Sequence, residues 1–366
     1  MKNIKQIIQL IIFTVVIMAI ASCMEKFDIN EIDTGNGNVN IGGDTVFIQL
    51  NPVWEGFNKP QDIMVGREPF IYVADTENDR IVLMNLAGDI LGSKSIQKPI
   101  ALAQDYRLNL IVCAEFDTTF GGQTQTFSAV YKIDLFSVSH QIEIAPIKRL
   151  LPRSTDLNRP ELKYTGVSAF FNNIFYVART GPNNSSFVDP DNSILIFVPK
   201  KIIGGEESDT LIGRVPNIDP IGQGPVSAYG ISSMTSFDVQ NIDIVITLTG
   251  DNSFKAQWLK YVITPIDQRY QSNFSPNSGV AFMIPNKFER PEGSAIDRSG
   301  NIYIADAGKD SIYKFNSFGD ELQSFGAFGG DDKFNQPHGV AFFDKTLYVA
   351  DTGNDRVVRF ILSTDQ

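Results

Sequence analysis

Cysteine and histidine are nearly missing from this chain, with two of each among 366 residues. Two cysteines make at most one disulfide, which excludes a disulfide-stapled scaffold and any multi-cysteine metal motif. His140 and His338 are too few for a zinc site built from several imidazoles. Basic charge is scarce as well. There are 31 Lys and Arg against 42 Asp and Glu, and the net charge is −11. That balance argues against a nucleic-acid partner, because a phosphate backbone is met by a basic surface. The sequence also lacks a Gly-x-Ser-x-Gly elbow and a phosphate-binding loop. What it has is 27 Phe, 29 Gly and 18 Pro. Many aromatics among many turn formers point to many short strands, in a chain long enough to bury a sizeable core.

The N-terminus reads as a leader. Lys2 and Lys5 precede an apolar stretch from Ile7 to Ala21. It is short for a membrane span, which needs roughly 20 residues. The stretch ends in Ile20-Ala21-Ser22-Cys23, which is similar to a bacterial lipobox, whose cysteine is diacylated and becomes the new N-terminus. Residues 1–22 are thus expected to be a signal peptide and Cys23 the lipidation site. Met24 stands where an Asp would favour retention in an inner membrane, so the cell envelope and its outer membrane are the expected location. Residues 30–44, NEIDTGNGNVNIGGD, are aperiodic and rich in Gly, Asn and Asp. The expected organisation is a lipidated flexible tether over 23–43 and a folded domain over 44–366. The other cysteine, Cys113, lies in the apolar run LNLIVCAEF and is expected to be a small buried hydrophobe.

Three segments repeat. KPQDIMVGREPFIYVADTENDRIVL (59–83), RPEGSAIDRSGNIYIADAGKDSIYKF (290–315) and QPHGVAFFDKTLYVADTGNDRVVRF (336–360) each show a Pro, a strand, a turn, a strand ending in Ala-Asp, a tight turn and a further strand. This resembles the NHL repeat, roughly P-x-G-[IV]-A followed by [IL]-Y-V-A-D-T-x-N-x-R-[IV]. NHL repeats are propeller blades, so the resemblance implies a β-propeller. With that template the middle becomes legible: Glu115, Arg179 and Leu248 stand at the Asp position of weaker repeats, between Asp75 and Asp306, with Asp351 last. Six markers imply an all-β, six-bladed propeller. Such units run roughly 40 to 50 residues, so the longer middle spacings imply insertions. Within IYVAD, Tyr72 and Ala74 share one face of the strand and Ile71 and Val73 the other. Asp75 with Arg80, and Asp351 with Arg356, are close enough in sequence to staple the turn, and Asp306 holds the same place. The last repeat, from Pro337, has three strands. DTVFIQL (44–50) has no blade of its own, so it is expected to close the last blade as its fourth strand.

Catalytic candidates are few. His338, in QPHGV, reads as blade structure, and His140 as part of a strand between blades two and three. Six-bladed lactonases hold calcium with carboxylates and an Asn around the channel; by that resemblance Asp62, Glu292 and Asn301 are candidates for a calcium-dependent hydrolase or lyase. DPDNS (189–193) and GGDD (329–332) read as solvated turns rather than calcium loops. The stronger expectation is binding. Insertions at 115–127, 179–192 and 249–259, with linkers at 151–166, 215–230 and 264–279, concentrate in blades two to four. They carry Phe116, Phe120, Phe187, Phe254 and Trp258 among Asn, Gln, Ser and Thr. Loops on a rigid scaffold commonly carry function, and rings among amides suit peptides or glycans. The expected protein is a monomeric, membrane-anchored binding module for a protein, peptide or glycan, with no cofactor and no metal.

Overall fold

The computed structural model describes residues 46–201, 207–237, 240–326 and 333–363; the leader, Cys23, the tether and GGDD lie outside the described residues. The described chain folds into six four-stranded antiparallel sheets arranged as the blades of a propeller. β1 (Phe47–Trp54) belongs to the last blade. Blade one is β2 (Pro60–Val65), β3 (Ile71–Asp75), β4 (Arg80–Met84) and β5 (Ile90–Ser95). Blade two is β6 (Ala101–Gln104), β7 (Leu110–Phe120), β8 (Gln123–Ile133) and β9 (Ile147–Leu151). Blade three is β10 (Lys163–Ala169), β11 (Phe175–Thr180), β12 (Ser193–Lys201) and β13 (Glu207–Arg214). Blade four is β14 (Ile231–Ser236), β15 (Ile244–Leu248), β16 (Ala256–Ile263) and β17 (Gln268–Ser272). Blade five is β18 (Pro291–Ile296), β19 (Ile302–Asp306), β20 (Ser311–Phe315) and β21 (Glu321–Gly326). Blade six is β22 (Pro337–Phe343), β23 (Thr346–Asp351) and β24 (Arg356–Leu362), completed by β1.

That closing strand runs antiparallel to β24, with Phe47 opposite Leu362 and Trp54 opposite Val357. The expected closure is therefore the observed one. Each blade is an up-and-down meander, so its connections alternate between two faces of the ring. First-to-second and third-to-fourth strand turns share one side, here the turn face. Second-to-third turns and the linkers between blades share the other, the loop face.

Hydrophobic burial occurs between blades. Tyr72 and Ala74 pack into the cluster shared with blade two, while Ile71 and Val73 pack into the one shared with blade six. The alternation of a strand buried on both sides is thus used twice, once for each neighbour. Polar latches reinforce this packing. Asp75 Oδ1 accepts from the Asn58 amide (2.7 Å), and its Oδ2 from Arg80 Nε (2.6 Å). Asp351 makes the same pair of bonds to Asn335 and Arg356, both at 2.8 Å. In blade five, where Ser311 replaces the arginine, Asp306 accepts from the amides of Glu289 and Arg290 instead. A second aspartate, four residues after the first, sits in left-handed backbone at Asp79, Asp310 and Asp355. It reaches the next blade: Asp355 accepts from Lys59 N–H (2.8 Å), Asp79 from Lys98 (2.9 Å) and Asp310 from Gln336 (2.7 Å). These links tie blade five to six, six to one and one to two, across the point where the ring closes.

Four local expectations change. EFDTTFGGQTQTF is not a loop: it extends β7 and β8 as a ladder from Leu110 opposite Ile133 to Phe120 opposite Gln123. Gly121 and Gly122 both have positive φ at its tip, the requirement of a tight two-residue hairpin turn. TPIDQRYQSNFSPNSG is not a linker on the loop face. It holds a turn-face turn and the outer strand β17, in which Tyr270 is buried and its neighbours are exposed or half-buried. His140 is not on a strand. It lies in a left-handed turn before β9, beside Phe70 and 3.3 Å from Glu68. DPDNS is not a solvated turn, because Asp191 and Asn192 are buried.

Candidate functional site

A central channel of about 240 Å³ runs between the innermost strands. It opens on the loop face into a mouth of about 230 Å³. The register explains what lines that mouth. Just after the residue that pairs with the marker, the innermost strands of blades one, three, four, five and six shift against their neighbours, as between Pro60 and Asp62 or Pro291 and Gly293. Such a bulge re-aims a side chain. The residues at or beside these shifts are Gln61, Thr165, Ser232, Glu292 and His338; with Ile100 from blade two they form one contribution per blade around the mouth. Thr180 and Thr249, at the ends of second strands, complete it. In blades three, five and six glycine follows the ring residue and lets the next blade approach: a side chain at Gly293 would collide with the His338 carbonyl.

The ring is mostly uncharged and partly committed to structure. The Ser232 hydroxyl donates to the Pro291 carbonyl (2.7 Å) and the Thr165 hydroxyl to Ile231, each joining its blade to the next. Both oxygens remain acceptors. Glu292 brings the ring's carboxyl, pushed up to about 7 by burial, which outweighs the Arg290 guanidinium 3.6 Å away. Burial, with help from Arg290 and Lys59, lowers His338 to about 4, so it is neutral. Deeper in the channel, burial raises Asp62 to about 7 although its two oxygens accept from the Ile63 (2.8 Å) and Leu102 (2.7 Å) amides. Asp62 and Glu292 are each partly exposed toward the channel, but protein surrounds both, and it is this surrounding that disfavours the charge. Asn301 is not near them. It donates to Asp297 (2.7 Å) in a turn on the opposite face, so the three candidate calcium ligands do not converge. Among the described residues no three His, Cys, Asp or Glu side chains group as metal ligands. Cys113 is buried and unpaired, and burial pushes its thiol well above the ordinary range.

Around the mouth rises an uneven rim. The extended hairpin of blade two carries Phe116 and Phe120 against Phe127, with Arg149 stacked 3.8 Å from the Phe116 ring. In blade three, Arg179 is 2 % exposed and bonds Asp189 (2.5 Å) and the Pro190 carbonyl (2.6 Å); Arg159 pairs with both Asp189 and Asp191. Burial alone would raise the Asp189 carboxyl, but the hydrogen bonds and charges of the two arginines outweigh it and hold it below the usual range. This knot presents Phe187, 93 % exposed, beside the exposed Val188. Phe254 and Trp258 are placed otherwise. Both are half-buried against the cluster between blades four and five, and Trp258, in β16 rather than a loop, stacks on Phe237 at 4.6 Å.

The closed ring and its repeated Asp-latched blades define an NHL-type six-bladed β-propeller. The sequence model of the NHL repeat matches residues 334–360, in blade six. Among solved structures the chain is similar to a protein of unknown function from Bacteroides thetaiotaomicron, at 14 % identity and TM-score 0.52, over 87 % of this chain and 76 % of that one. It is also similar to an auxiliary nutrient binding protein from the same organism (11 %, TM-score 0.54, 84 % and 70 % covered). A third is the PQQ-bound aldose sugar dehydrogenase of Streptomyces coelicolor (11 %, TM-score 0.51, 87 % and 98 % covered). At these identities the likeness is one of fold. No curated protein matches the chain in sequence.

Proposed function

We propose that this protein is a membrane-anchored, extracytoplasmic binding propeller, held by a lipid on Cys23, that captures a glycan, peptide or protein segment on the loop face of blades two to four. One observation carries the reading. The outgrowths of blades two and three stand on the face where the channel opens, and they hold apolar rings beside a mouth of hydroxyls and an amide. Rings supply contact area and neutral polar groups supply hydrogen bonds, the pairing that suits an uncharged ligand. Phe116, Phe120 and Phe187 are its direct contacts; Phe254 and Trp258 support the blade-four side of the rim. The chain's acidity disfavours acidic partners at long range. The nutrient binding protein of similar fold is in keeping with this class of function.

The test is capture from native envelope and on a soluble glycan array. The triple change Phe116→Ser, Phe120→Ser and Phe187→Ser should abolish capture while leaving the melting temperature near wild type. Capture undiminished in a folded triple variant would place the site elsewhere. The anchor is tested separately: Cys23→Ala should lose palmitate labelling and leave the membrane fraction. The alternative is a calcium-dependent hydrolase or lyase using the central channel; against it, Asp62, Glu292 and Asn301 do not converge. Lactone or ester turnover that needs calcium and is lost in Glu292→Gln would replace the binding reading.

A further inference from the structure

The face opposite the mouth has its own pattern. Three of its third-to-fourth strand turns end in an exposed apolar tip: Phe136 in blade two (70 %), Ile266 in blade four (96 %) and Phe318 in blade five (74 %). Single exposed hydrophobes are ordinary. Here each is held outward by a polar brace beneath it. Asp134 accepts from the Ser137 amide (3.0 Å). Thr264 Oγ1 accepts from the Asp267 amide (3.0 Å). Asn316 Oδ1 accepts from the amides of Phe318 and Asp320, both at 2.9 Å. Exposed Ile144, Ile147 and Ile263 lie on or next to the same turns, and Ile90 and Leu91 next to the corresponding turn of blade one. The second observation is where the chain enters. β1 begins on this face, where Val46 and Ser363 bond each other. The described chain therefore begins on the side that carries the tips.

We propose that the turn face rests on the lipid bilayer, with Phe136, Ile266 and Phe318 inserted among the headgroups. This rests on the lipid-anchored reading of Cys23. A lipid on the tether confines the domain close to the surface, so even weak insertion of three rigid tips is favoured by the high effective concentration. Asp134, Asp267 and Asp320 flank the tips, while Arg269 pairs with Asp267 (3.1 Å) and Arg107 and Lys148 line one pocket with Asp134, so the face carries both signs and fits a zwitterionic surface.

The test uses the full-length lipidated protein in phosphatidylcholine–phosphatidylethanolamine vesicles. Single cysteines replace Phe136, Ile266, Phe318 or, as a control on the opposite face, Phe187. Each is labelled with a polarity-sensitive fluorophore; buried Cys113 stays unlabelled. Palmitate labelling is read first, and its absence sinks the anchored reading and this proposal together. With the anchor present, labels at 136, 266 and 318 should shift to the blue and be quenched by doxyl-labelled lipid, while the label at 187 should not. Equal quenching at all four positions, or at none, overturns the face assignment and leaves the anchor standing. An oligomer in detergent that dissociates on Phe136→Ser, Ile266→Ser and Phe318→Ser would assign the tips to a second copy and overturn it too.

Discussion

Glu292 shows at the residue scale how the ring changes a side chain's chemistry. Burial raises its carboxyl from 4.5 to about 7. A raised carboxyl favours the protonated folded state. Its contribution to stability is full below pH 4.5 and is lost as the pH rises through 7. Each tenfold change in proton affinity is worth about 1.4 kcal/mol, less here because the side chain is partly exposed. Glu292→Gln cannot ionise, so it should gain stability relative to wild type between pH 4.5 and 7 and hold that gain above 7. Thermal melts at pH 4, 6 and 8 read this directly. A melting difference independent of pH would mean that Glu292 is ionised freely in the mouth.

The closing strand is the clearest case at the scale of an element. Phe47 is buried, stacked on Phe325 at 5.0 Å and edge-on to Tyr303 at 6.2 Å. One side chain of β1 thus joins blade six to blade five. Removing residues 24–41 should leave the melting temperature nearly unchanged, since β1 is intact. Removing residues 24–50 takes Phe47 and half of the ladder with β24, exposing a strand edge and the apolar face behind it. It should lower the melting temperature sharply, and Phe47→Ala alone should cost about 3 kcal/mol. Equal melting temperatures for the two truncations would show that the ring is held by something other than β1.

For the whole molecule, the two faces imply an orientation. The described chain begins on the turn face, which also carries the apolar tips; in the proposed docking the mouth and rim point away from the lipid. Ligand capture should therefore be as strong on vesicle-bound protein as on protein in detergent, as surface plasmon resonance with the same ligand would show. Weaker capture on vesicles would mean that the rim is the face next to the lipid.

The sequence by itself determined the blades. Tyr72 with Ala74 and Ile71 with Val73 announce a strand buried on both sides, and that alternation follows from backbone geometry alone. The number of blades came from the marker positions that the resemblance to the NHL repeat makes legible, and the closing strand from a last repeat one strand short. The outer part of the 110–133 ladder was hidden by its Thr and Gln content, although two glycines between alternating residues mark a hairpin. β17 was obscured because an outer strand buries one side chain, Tyr270, and leaves the rest polar. What only the tertiary structure decided is which residues meet. Gln61, Thr165, Ser232, Glu292 and His338 are spread over the whole chain and share no residue type. They converge because each follows the innermost-strand residue that pairs with a marker residue, and closing the ring brings those places to one opening. Arg179 likewise gains its role from the fold. Its strand is defined by local pattern, but its partners Asp189 and Asp191 come from a loop whose path was set by burying that guanidinium. Periodicity is a property of neighbours along the chain, whereas a site depends on distances that ring closure alone creates.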